Sequence, residues 1–123
     1  MITPWLDGTI LPGVTRASCL TLLSDPDFHA SLGTTLYPTE RGVTMANLEG
    51  WYADGTLLKV LCIGTAVIVA PIHRIGYEGR DMHLPKYPSD ENGLGPVGRA
   101  LRAKISAVQE GREEYEGWAV VCE

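Results

Sequence analysis

The run from Val60 to Ile72 is the longest apolar stretch of the chain, and it is broken once, at Gly64-Thr65. Broken there, it is too short to cross a membrane as a helix and reads instead as two apolar strands joined at the glycine. The same punctuation recurs on both sides. Asp7-Gly8 and Pro12-Gly13 mark turns, and Pro26, Gly33 and Pro38 keep Ser24 to Thr39 rich in loops. Thr15 and Thr44 stand as N-caps, while Gly55 and Gly111 stand where helices stop. Between these marks, Ala17, Cys19, Leu20, Leu22 and Leu23 form one helical face, as do Met45, Leu48 and Trp51/Tyr52. Val97, Leu101, Ile105 and Val108 form a third. A short strand is expected within Met1 to Ile10, and a hairpin from Ile72–Tyr77 to Met82–Leu84 around Glu78-Gly79-Arg80-Asp81. Lys86 to Gly95 reads as irregular, and Trp118 to Cys122 as a last strand. Elements this short and mixed predict an α/β (mixed α+β) fold, with a short mixed or antiparallel sheet and flanking helices.

A chain of 123 residues fits one domain, residues 1–123. Its net charge of −5 argues against nucleic acid and against anionic membrane surfaces, both of which need basic patches. No amino-terminal basic region precedes an apolar core, so no secretory signal is visible. Cys19, Cys62 and Cys122 are odd in number and widely spaced, without zinc spacing. That is the cysteine usage of a reducing compartment, and a cytoplasmic location is the expectation.

Two segments combine features that hold an anion. Pro12-Gly13-Val14-Thr15 turns directly into a helix, whose free amides and dipole favour negative charge. Gly64-Thr65-Ala66 offers close backbone approach at the glycine and one hydroxyl. Each alone is an ordinary turn or strand kink; what raises both is the company they keep.

The segment Leu6-Asp7-Gly8-Thr9-Ile10-Leu11-Pro12-Gly13-Val14-Thr15-Arg16 is followed by Glu40-Arg41, Thr44-Met45, Gly55 and Gly64-Thr65-Ala66. Pro71-Ile72-His73-Arg74-Ile75, Tyr77, Gln109, Gly111 and Trp118 complete the series. From about Thr3 to Val121 this pattern resembles the C-terminal part of the large domain of branched-chain amino-acid aminotransferases, the fold-type IV pyridoxal-phosphate enzymes. The resemblance implies that Leu11, Val14 and Thr15 line or bind the cofactor ring and phosphate. It implies that Gly64 and Thr65 belong to the phosphate cradle, with Thr65 donating to it, and that Ala66 lies beside the substrate carboxylate. The chain departs from the family in several places. None of Lys59, Lys86 and Lys104 lies where the family places its cofactor-anchoring lysine. Cys62 stands where the family usually has glycine, and Lys59 where an acidic residue is common. Gln109-Glu110-Gly111 replaces a Gln-Tyr-Gly, and Val67 and Ala70 replace a redox cysteine pair of some animal members. With Met1 just upstream of the match, the chain is expected to be a self-contained truncated product. Cys62 is expected to crowd the cradle, and the ancestral pyridoxal phosphate to be lost, leaving no cofactor.

The candidate catalytic groups are His73, Cys62, Asp7 and Tyr77. Each has a plain structural reading beside it. His73 sits on a strand, Asp7 lies in an Asp-Gly turn, and Cys62 has no adjacent base that the sequence can name. His29 and His83 have no second ligand at metal spacing, so no metal is expected. Three functions follow. One is a former cofactor cavity reused for cofactor-independent isomerisation, cyclisation or proton transfer on a small-molecule ligand, with Thr15, Thr65, Tyr77 or His73 as polar contacts. Another is a non-catalytic interaction module, and the third is the C-terminal piece of a split aminotransferase. A homodimer is the expected assembly, since an excised half exposes the surface its missing half covers.

Overall fold

A computed structural model describes residues 1–86 and 92–122. Among them, four helices and three two-stranded sheets form a small mixed α/β domain with no barrel. β1 (Ile2–Thr3) pairs in parallel with β2 (Thr39–Glu40). β3 (Val60–Gly64) and β4 (Ile68–Ile72) form one antiparallel hairpin, and β5 (Arg74–Tyr77) and β6 (Arg80–His83) another.

The helices are α1 (Val14–Ser24), α2 (Pro26–Leu32), α3 (Met45–Ala53) and α4 (Gly95–Gln109). Thr44 caps α3 through a reciprocal box, its hydroxyl accepting from Asn47 N–H while the Asn47 side chain accepts from Thr44 N–H. α1 begins two residues earlier than Thr15 as N-cap predicts. Gly13 is its N-cap and supplies no side-chain bond, so Thr15 lies inside the first turn and is buried. α2 occupies part of the stretch expected to be loop. Asp25 caps it, Pro26 starts it with its φ already helical, and Gly33 ends it in the left-handed region at φ 64°. The last strand expected at Trp118–Cys122 does not form, and Val120 and Val121 are exposed instead. Much of the irregular segment after Lys86 lies outside the described residues.

The core sits where α1, α2 and α4 meet the β3–β4 hairpin. Cys19, Leu22 and Leu23 of α1 join Phe28, Val69, Leu94, Leu101 and Ile105. Leu61, Ile63 and Val69 share one face of the hairpin by strand alternation and register, and all three belong to or pack on this core. α4 approaches closely enough at Gly98 that a Cβ there would stand 3.2 Å from both Leu61 methyls. After α4 the chain folds back. The Tyr115 hydroxyl donates to Asp25 Oδ2 at 2.8 Å, and the Tyr115 ring packs edge-on against Trp118. Burial and this hydrogen bond push the Tyr115 phenol up to about 12. The same bond, with the Asp27 amide, holds the Asp25 carboxyl below its usual range. No helix among the described residues is long and apolar enough to cross a membrane.

Candidate cofactor-phosphate site

The site is built where α1 begins and where the β3–β4 hairpin turns, and α1 packs against β3. At α1, Gly13 caps with extended backbone and no side-chain acceptor. The first intrahelical bond runs from Ala17 N–H to Gly13 C=O at 3.1 Å, so the amides of Val14, Thr15 and Arg16 precede the helical ladder. Uncapped amides at the positive end of a helix of this length are suited to an anion. No hydrogen bond of the Thr15 hydroxyl is seen among the described residues, although the residue is only 9% exposed. Leu11 and Val14 are more than four-fifths exposed, at 84% and 82%, and so offer apolar surface beside those amides.

Arg16 orders the approach. Its Nη2 donates to Pro4 C=O at 2.7 Å and to Glu40 Oε2, tying the loop before α1 to β2. Its Nε is buried with no partner among the described residues. The charge-assisted fork fixes where the loop Pro4–Gly13 enters the helix. Arg16 and Glu40 stand 24 residues apart, and nothing in the sequence signals that they pair.

On the hairpin, Gly64 closes β3 and Thr65 to Val67 make the turn. Gly64 has neither a left-handed φ nor a neighbour: a Cβ built there meets nothing within 4 Å. Neither a left-handed backbone nor close packing requires glycine here, and the space beside its Cα is open, as it is at Gly50. Thr65 and Ala66 are exposed. These features fit a phosphorylated cofactor: a free helix start, a hydroxyl on each segment, and backbone accessible at Gly64.

The other candidates lie elsewhere or are engaged. Asp7 accepts from Thr9 N–H at 2.9 Å and from the Thr9 hydroxyl at 2.6 Å, which lowers its pKa and locks a turn. His73 follows β4 at the end away from the turn, about 16 Å along the strand from Ile68 at 3.3 Å per residue. Its ring lies over Gly93, where an added Cβ would stand 2.4 Å from His73 Cε1. Tyr77 lines a separate cavity of about 210 Å³ with Glu49, Tyr52, Arg80, Asp81 and Met82. Cys62 is exposed on β3, and Cys19 is the buried thiol, pushed up to about 11 by desolvation. The fold therefore brings the α1 start and the hairpin turn onto elements packed together. It leaves His73 and Tyr77 apart from them. No cluster of metal ligands occurs among the described residues.

No protein-family model matches the chain. Individual proteins do. The cytosolic branched-chain-amino-acid aminotransferase of Saccharomyces cerevisiae is 35% identical over 121 residues, covering 98% of this chain and 31% of the yeast protein. The mitochondrial enzyme of Rattus norvegicus is 36% identical over 116 residues, 94% of this chain and 27% of the rat protein. The branched-chain-amino-acid aminotransferase of Dictyostelium discoideum is 36% identical over 125 residues, 100% of this chain and 30% of its own. The chain thus spans about 30% of the length of these curated relatives.

This match corrects the expectation that pyridoxal phosphate is lost and that the chain has no cofactor. Its relatives are aminotransferases, which use pyridoxal phosphate. The expectation rested on Cys62 narrowing the cradle and on the missing lysine; Cys62 is an exposed residue of β3, and the homology to enzymes that use the cofactor overturns the expectation. Over nearly its whole length the chain is a homologue of the branched-chain amino-acid aminotransferases, and it corresponds to a C-terminal fragment of that fold-type IV enzyme.

Proposed function

We propose that this chain forms the phosphate-holding side of a pyridoxal-phosphate site in an aminotransferase acting on branched-chain amino acids, with the cofactor-anchoring lysine supplied from outside these residues. The observation that carries this reading is the start of α1, where Gly13 supplies no side-chain cap and the amides of Val14, Thr15 and Arg16 precede the helical ladder beside the buried Thr15. The cofactor, when bound, supplies the electron sink that lets an amino group pass between an amino acid and a 2-oxo acid. The chain's own residues bind and orient. The amides of Val14, Thr15 and Arg16 and the Thr15 hydroxyl hold the phosphate from the helix start, where the dipole favours the dianion. The Thr65 hydroxyl holds it from the hairpin turn. Ala66, next along that turn, lies on the side of the substrate carboxylate. Leu11 and Val14 shield the ring from water. The cofactor-independent reading set out above falls with the correction to the cofactor.

A chimaera tests this. The matching 121 residues of the yeast cytosolic relative are replaced by this chain, and the product is assayed for bound pyridoxal phosphate by absorbance and for glutamate made from leucine and 2-oxoglutarate. Cofactor binding with leucine-dependent turnover is expected, weakened by Thr15→Val and Thr65→Val. A folded chimaera that keeps its lysine yet binds no cofactor contradicts the proposal.

A further inference from the structure

Strand alternation assigns Leu61, Ile63 and Val69 to the core face of the β3–β4 hairpin, and Cys62, Gly64, Ile68 and Ala70 to the opposite face. Cys62 obeys and is exposed. Ile68 does not. Its side chain is half-buried and packs against the same core cluster that contains its neighbour Val69. The backbone shows how: Ile68 has φ 58°, a left-handed conformation that a β-branched residue rarely adopts. This is the residue that ends the turn Thr65–Val67, and the left-handed step falls on it rather than on the nearby glycine. Glycine would take that conformation without steric cost and asparagine at a smaller cost than isoleucine, so isoleucine there serves something other than the turn's own geometry. What isoleucine adds is an apolar anchor that turns back under the hairpin and ties the turn to the core.

We propose that Ile68 is the positioning residue of the cradle turn: its half-buried side chain, packed against the core cluster beside Val69, locks the left-handed step and thereby holds Thr65 and Ala66 in one conformation. A segment held this way meets a phosphate without first being ordered, which is the advantage of preorganisation. The strain is of the kind that persists only where surrounding packing over-determines it. This inference rests on the reading of Gly64–Ala66 as part of a phosphate site, although the turn's rigidity is a separate observable.

The experiment uses the full chain labelled with ¹⁵N, measuring backbone order parameters for Thr65 to Val67 and then titrating with inorganic phosphate. In the native sequence the turn amides should match the rigid strands at about 0.85, and Ile68→Val, which keeps branching and most of the anchor, should preserve this. Ile68→Gly keeps the left-handed step but removes the anchor. It should drop the turn to about 0.6 or below while the α1 amides stay unchanged. Phosphate affinity should fall by about threefold or more as the order is lost. If the glycine variant does not fold, Ile68→Asn, which also accepts the left-handed region, carries the same comparison. A folded glycine or asparagine variant with native order in the turn overturns the proposal. If order is lost as expected but phosphate moves none of the cradle amides even in the native chain, the anchor stands and the phosphate reading is what fails.

Discussion

Gly64→Ala separates a glycine kept for a ligand from one kept for the fold. The added methyl enters open space, with no heavy atom within 4 Å, and Gly64 is not in the left-handed region. Alanine therefore fits the native backbone without strain and narrows the unfolded ensemble, which should raise stability by about 0.4–1 kcal/mol. Gly93→Ala is the contrast. Gly93 has φ 67°, and its added Cβ would stand 2.4 Å from His73 Cε1 and 3.2 Å from His73 Nε2. The left-handed conformation alone costs alanine about 1–2 kcal/mol, before the ring moves aside. The two substitutions should thus differ in sign, with a gap of about 2 kcal/mol. Urea unfolding followed by tryptophan fluorescence reads this directly, provided the denaturant slope is the same for both. In parallel, Gly64→Ala should weaken binding of pyridoxal phosphate, since the methyl occupies the space through which the phosphate reaches the backbone. The reasoning is refuted if Gly64→Ala destabilises as Gly93→Ala does, or if it leaves cofactor affinity untouched.

Thr44→Ala removes the acceptor for Asn47 N–H and breaks the reciprocal box, and should cost about 1 kcal/mol of stability in thermal or urea unfolding. Tyr115 has a folded pKa raised to about 12 against an ordinary value near 10. Its contribution is therefore complete below about pH 10 and is lost as pH rises through about 12. The Asp25 carboxyl is shifted the other way, so its contribution holds above its unfolded pKa and is lost on acidification through the lowered folded value. The difference in unfolding free energy between the native chain and Tyr115→Phe should shrink at both ends of the pH range, and a flat difference counts against the bond. With Leu11, Val14, Val120 and Val121 all more than four-fifths exposed, the chain should self-associate as a dimer or larger in sedimentation. A monodisperse monomer rules that out.

The elements with their own signals were legible in the sequence. Thr44 announces the start of α3, the spacing of Leu101, Ile105 and Val108 gives the buried side of α4, and Glu78-Gly79 turns β5 into β6. α2 was legible in retrospect, because Asp25-Pro26 opens it and Gly33 closes it, but a proline near a short apolar segment reads first as a break. Trp118–Cys122 has strand propensity but pairs with no strand among the described residues, so tertiary context overrides the residues. At the site, Gly13, Thr15 and Gly64 were visible as residue types. Two features were not. The pairing of Arg16 with Glu40 spans 24 residues and depends on the parallel β1–β2 register. The left-handed step at Ile68 sits on a residue type that local rules assign to a plain strand.

The proposed site holds one cofactor phosphate between the start of α1 and the turn after β3. Titrating the ¹⁵N-labelled chain with pyridoxal phosphate and following its amide resonances tests that most directly. Val14, Thr15, Arg16, Thr65 and Ala66 should shift together along one saturating curve, with the amides around His73 and Tyr77 unmoved. Shifts confined to one of the two segments, or centred on the cavity beside Tyr77, contradict it.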